Sequence, residues 1–126
     1  MRTNIEAEKI EEYSIAQLTD YYGTDKENDV IGKKIKVRGR VKSIEDAVVP
    51  SQASIRSFLL GDDEGHHLIA NASISSAGAY AGHVLHTQND DKVVMDITYE
   101  GFLTGRINSL DNKTLIGRLT GEMHGD

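Results

Sequence analysis

The stretch Lys34-Ile35-Lys36-Val37-Arg38-Gly39-Arg40-Val41-Lys42 alternates a cation with an apolar or small residue at nine consecutive positions. A β-strand points successive side chains to opposite faces, so this is one strand with an apolar face and a face of five cations. The strand is read from Lys33 to Ile44, long for a globular sheet, with Gly39 at its middle on the apolar side. Glycine inside a long strand marks a bend or bulge, which a small barrel needs where one strand serves two sheet faces.

Charge sets this strand apart from the rest of the chain. Residues 1–29 carry eight acids and three bases, residues 30–60 two acids and seven bases, and residues 61–126 ten acids and four bases. The stripe is thus the one place where a protein of net charge −6 would hold a polyanion. The same net charge argues against indiscriminate binding to nucleic acid or to an anionic membrane.

Outward from the stripe, Ser14 followed by Gln17 is a capping box, with Ile15, Leu18 and Tyr22 on one helical face and Gly23 as the stop. Residues 1–13 read as an acidic arm, and residues 24–30 as a polar connector with room for one more helical turn. Beyond the stripe, a loop around Pro50 precedes strands at Ser54–Leu60 and His66–Ala72, joined by the turn Gly61-Asp62-Asp63-Glu64-Gly65. Ala77, Tyr80 or Ala81, and Val84 suggest a short helix behind Ser75 or Ser76 as cap. In the strand that follows, Val93, Met95, Ile97 and Tyr99 alternate inward against Val94, Asp96, Thr98 and Glu100 outward. A turn over Asn108–Asn112 leads to a last strand at Lys113–Leu119, and residues 120–126 read as a flexible tail.

The expected architecture is therefore mainly β: a five-stranded Greek-key barrel over residues 14–119, with an N-terminal helix and a short helix or loop between strands 3 and 4. The length of 126 residues suits one core. No cysteine is present, so there is neither a disulfide framework nor a thiolate nucleophile. With no signal-like or ~18-residue apolar segment, the chain reads as cytoplasmic, unless an export signal has been trimmed.

The hairpin Ser57-Phe58-Leu59-Leu60-Gly61-Asp62-Asp63-Glu64-Gly65 resembles the second strand and turn of OB-fold nucleic-acid-binding domains, the anticodon-binding type among them. The opening Ser14-x-x-x-Leu18-x-x-Tyr21, followed by Gly32-Lys33-Lys34-Ile35-Lys36-Val37-Arg38-Gly39-Arg40-Val41, resembles the small stand-alone bacterial tRNA-anti-like family. In that family a leader helix precedes a strand reading Gly-Lys-x-x-x-Val-x-Gly-x-Val. What the resemblance implies is an OB barrel, a fold that serves many ligands.

The function expected from stripe and fold together is a non-catalytic module binding single-stranded DNA or RNA through Lys34, Lys36, Arg38, Arg40 and Lys42, with Arg56 and Phe58 beside them. Phe58 and Phe102 are placed outward, as the aromatics nearest the stripe. The alternative is a protein-interaction or regulatory module, as a homo-oligomer or with a basic partner, in which Asp96 and Glu100 neutralise the stripe. No cofactor or metal is implied. Asp62-Asp63-Glu64 lacks the spacing of a calcium loop, His66 and His67 face opposite ways on a strand, and His83 and His86 lack a third ligand set by spacing. No spacing of Ser, His or Asp residues points to catalysis, so the chain is not expected to be an enzyme.

Overall fold

The computed structural model describes residues 10–48, 54–73, 80–102 and 114–126. Residues 1–9 of the acidic arm, the Pro50 loop, the Ser75/Ser76 cap, the 108–112 turn and the side chain of Phe102 lie outside the described residues.

Eight elements follow in chain order: α1 (Ile15–Tyr21), α2 (Asp25–Val30), β1 (Lys34–Val48), β2 (Ser54–Gly61), β3 (His67–Ser73), α3 (Ala81–His86), β4 (Lys92–Phe102) and β5 (Leu115–Gly125). The strands close into a barrel in the order β1-β2-β3-β5-β4. All neighbouring pairs are antiparallel except β3 and β5.

Closure depends on β1. Its first half, Lys34 to Arg40, pairs with β4, and its second half, Arg40 to Val48, pairs with β2, with a register shift between Val41 and Ser43. Gly39 lies just before this handover, as the sequence suggests. A Cβ there would sit 3.1 Å from the Leu60 Cβ and 3.4 Å from Ile15 Cδ1, so the missing side chain lets β2 and α1 close onto β1.

The helices are held by local chemistry. Ser14 and Gln17 complete their capping box: the Gln17 backbone N–H donates to Ser14 Oγ at 2.9 Å. Ile15 and Leu18 are fully buried, but the third inward residue is Tyr21, which packs edge-on against Tyr13, while Tyr22 is exposed. The polar connector carries α2, capped by Thr24 and anchored by buried Val30. Glycines at φ +77 (Gly23) and +87 (Gly32) end the two helices in the left-handed region. α3 begins later than the sequence suggests, with no side-chain cap, and buries Val84.

Two expectations are corrected. Residues 120–126 form no flexible tail, because β5 continues to Gly125 and pairs with β4 at Met123, His124 and Gly125. The alternation of β4 also fails on its outer side: Val94 and Asp96 are as buried as Val93 and Met95. For Asp96 the cause is an irregularity in the β4–β5 ladder, where only Asp96 stands between Met95 and Ile97 while Thr120 to Glu122 stand opposite. The Asp96 side chain fills that bulge and packs on Gly121, where a Cβ would lie 2.8 Å from the Asp96 Cβ.

Candidate nucleic-acid interface

Because β1 and β4 are antiparallel, the first four stripe cations face defined residues: Lys34 opposes Thr98, Lys36 opposes Asp96, Arg38 opposes Val94 and Arg40 opposes Lys92. On the other edge of β1, residues ahead of α1 lie alongside. Lys36 donates its backbone N–H to the Glu11 carbonyl and accepts from the Tyr13 N–H, both at 2.9 Å, and Glu12 bridges to Lys36 in parallel sense. Acidic side chains therefore border the stripe on both flanks.

Two stripe cations, Lys36 and Arg38, and the adjoining Lys33 are neutralised. Lys33 pairs with Glu11 at 2.8 Å, Lys36 with Asp96 at 2.8 Å, and Arg38 with both Glu12 and Asp126. The hydrogen bond to Glu11 raises the pKa of Lys33, and the hydrogen bond and charge of Glu12 raise that of Arg38. Asp96 is 3% exposed; besides Lys36 it accepts the Glu122 backbone N–H at 3.2 Å. Glu100 turns away from the stripe and pairs with Arg118.

The second half is different. Arg40 donates only to the Asp90 carbonyl, at 3.0 Å, and the side chains of Lys42 and Lys92 carry no ion pair among the described residues. Lys34, at the other end, also has none. Lys92 is the cation the sequence reading missed. The available signal was its parity, as the first outward residue of a strand that must pair with the stripe.

Arg56 and Phe58 do not join this surface. Both have inward parity on β2, and Phe58 is fully buried in the barrel. Arg56, at the end of the strand, forks onto Asp46 at 2.7 and 2.9 Å and donates to the Val84 and Leu85 carbonyls near the end of α3. It clamps β1, β2 and α3 together, and its hydrogen bonds hold the Asp46 carboxyl below the usual range.

The outer face of β2, β3 and β5 has another character. Leu59, Ile69 and Ile116 stand in register as a half-buried aliphatic row. Ser57, Asn71 and Arg118 form the next row, with Ser57 Oγ donating to Asn71 Oδ1 at 2.6 Å.

The histidines stand elsewhere. Asp62 accepts backbone N–H groups from Glu64 and His66, both at 2.9 Å, and its second oxygen lies 2.7 Å from His66 Nδ1. Asp62, Glu64 and His66 bring one ligand atom each within 4.8 Å of one another, a donor set suited to a divalent cation, but the Asp62 carboxylate and the His66 ring already pair with each other in the hairpin turn. His83 and His86 line a cleft of about 650 Å³ with Thr87, Asp91 and Lys92. No described helix is long and apolar enough to cross a membrane.

No family model and no curated protein sequence matches the chain. Several solved structures are similar in fold. A protein described as an aspartyl-tRNA synthetase from Leishmania major Friedlin superposes with a TM-score of 0.64 at 12% identity, over 99% of this chain and 22% of its own. The chain therefore spans about a fifth of that synthetase. An OBody bound to hen egg-white lysozyme gives a TM-score of 0.63 at 15% identity, covering 93% of this chain and 94% of its own. A nucleic acid-binding lipoprotein from Klebsiella pneumoniae subsp. pneumoniae MGH 78578 gives 0.57 at 16% identity, with 93% and 92% covered. At these identities the likeness is one of fold: an OB-like barrel.

Proposed function

We propose that this chain is a non-catalytic OB-fold binding module for single-stranded nucleic acid, held by phosphate contacts on the outer face of β1 and β4. One observation carries the reading. Arg40 and Lys92 stand directly opposite in the ladder, Lys42 follows two residues on, and none of the three has a carboxylate partner among the described residues. Like charges directly opposite destabilise a sheet, and an anionic backbone laid across them relieves the repulsion. Lys34 would give a further contact about 20 Å along the strand from Arg40, a length that spans several nucleotides. The resemblance to the tRNA-anti-like family and the fold shared with the Klebsiella lipoprotein, described as nucleic acid-binding, favour the same ligand class. With Phe58 buried, affinity would come from phosphate contacts, and sequence preference would be slight.

The test is the triple variant R40Q/K42Q/K92Q, titrated beside wild type against labelled single-stranded DNA and RNA. Loss of at least about tenfold in affinity is expected from removing three phosphate contacts at low salt. Unchanged affinity would remove this face from the account.

A second reading, a protein-interaction module, is favoured by the row Leu59, Ile69 and Ile116. It crosses the strand 2–3 face by which OB barrels take their ligands. The ion pairs on Lys36 and Arg38 also favour it, since they lower the charge the stripe offers a polyanion.

A further inference from the structure

Proceeding from the nucleic-acid reading, we infer that the acidic segment ahead of α1, together with Asp126, is a built-in competitor that covers Arg38 of the stripe and the adjoining Lys33 and that a bound strand must displace. The segment is seated much as an anionic ligand would be. Its backbone is zipped onto the β1 edge by two hydrogen bonds at Lys36, which fixes its register. In that register Glu11 reaches Lys33 and Glu12 reaches Arg38, while Asp126 takes the second arm of the Arg38 guanidinium from the β5 side. Three carboxylates from the two flanks thus converge on one cation of the stripe, Arg38, and on its neighbour Lys33.

These pairs contrast with the Lys36–Asp96 pair. Asp96 is buried and faces the β5 bulge, whereas Glu11, Glu12 and Asp126 are exposed surface partners. Exposed pairs of this kind contribute little to folding and exchange readily with other anions. Covered, the site offers Lys34, Arg40, Lys42 and Lys92; uncovered, it adds Arg38 in the gap between Lys34 and Arg40, and Lys33 beside Lys34.

The experiment compares E11Q/E12Q/D126N with D20N/D29N/D63N, which removes three exposed acids away from the stripe and so matches the change in net charge. Both are titrated beside wild type with a labelled single-stranded oligonucleotide of about 16 nucleotides, the upper site size for one OB barrel. The cover variant should bind about tenfold more tightly than the charge-matched control at ~50 mM salt. Its log–log salt slope should be steeper by about 1.4, the increment for two more phosphates on a single strand. In wild type, the Tyr13 amide should lose protection from hydrogen exchange when the oligonucleotide binds.

If wild type binds but the cover variant equals its charge-matched control, the competitor is refuted and the nucleic-acid reading stands. If wild type and the cover variant both fail to bind, both inferences fall. If the oligonucleotide binds while Tyr13 stays fully protected, the segment is not displaced and the competitor is again refuted.

Discussion

Replacing Asp96 with Ala removes the one charged side chain buried in the described barrel and should cost about 3 kcal/mol. The figure follows from its two bonds. Lys36 Nζ lies 2.8 Å from one carboxylate oxygen, and the Glu122 backbone N–H donates to the other at 3.2 Å. Removing one partner of a buried ion pair typically costs about 3–5 kcal/mol, because the other charge stays behind. Lys36 is 25% exposed and can recover part of its hydration, which moves the value to the lower end. The Glu122 N–H in the bulge loses its acceptor as well, a penalty of about 1–3 kcal/mol when such a donor is left unpaired. The assay is urea unfolding: with a slope of about 2 kcal/mol per molar, the midpoint should fall by roughly 1.5 M. Lys36→Met should be at least as damaging, since it strands a carboxylate deeper than the lysine. The double variant should be milder than the sum of the two singles. A cost for Asp96→Ala below about 0.5 kcal/mol, the range of ordinary surface changes, would refute the claim that Asp96 holds the β4–β5 bulge together.

Gly39→Val should destabilise by about 1–3 kcal/mol through overpacking, because its Cβ alone would stand 3.1 Å from Leu60; equilibrium unfolding measures it, and a neutral result would undo the close-approach argument. Tyr99 is buried with a hydroxyl that has no partner among the described residues, and desolvation, helped by the charge of Glu27, pushes its pKa well up. Tyr99→Phe should therefore leave stability unchanged or raise it by about 1 kcal/mol, and a clear loss would point to a bond that the hydroxyl makes. Burial raises the Asp62 carboxyl, but hydrogen bonds from the His66 and Glu64 backbone and from the His66 ring outweigh that and leave it below the ordinary value. Its contribution should be present above about pH 4 and lost as pH falls through the lowered folded value. Unfolding of wild type and Asp62→Asn from neutral pH down to about pH 3 should show their difference shrinking with acid; a constant difference would contradict the shift.

The barrel was legible because each decisive element carries a local signal: the capping box at Ser14 and Gln17, the alternation from Lys34 to Lys42, and the glycine at the handover of β1. Residues 120–125 were not legible, because a strand with Met123 as its one buried apolar residue is held by its ladder to β4 rather than by hydrophobic pattern. Asp96 lies on the outer side as expected, opposite Lys36, but its burial was not legible because a period-two reading cannot anticipate a bulge. Phe58 was misplaced by a parity error, although it shares a face with Leu60, a plain core residue. For the site, sequence supplied the cations of β1 and one of their partners, Asp96, but not Glu12 or Asp126. Glu12, Asp96 and Asp126 lie 26, 60 and 88 positions from the cations they meet, and only the fold brings such pairs together.

The most direct test of the central claim is fluorescence anisotropy of labelled single-stranded DNA, single-stranded RNA and duplex against the wild-type protein, repeated from ~50 to ~200 mM salt. Four cations without carboxylate partners among the described residues predict binding to a single-stranded form with a log–log salt slope of about −3. No binding at ~50 mM salt, or binding indifferent to salt, would contradict the account and turn attention to a protein partner on the Leu59, Ile69 and Ile116 face.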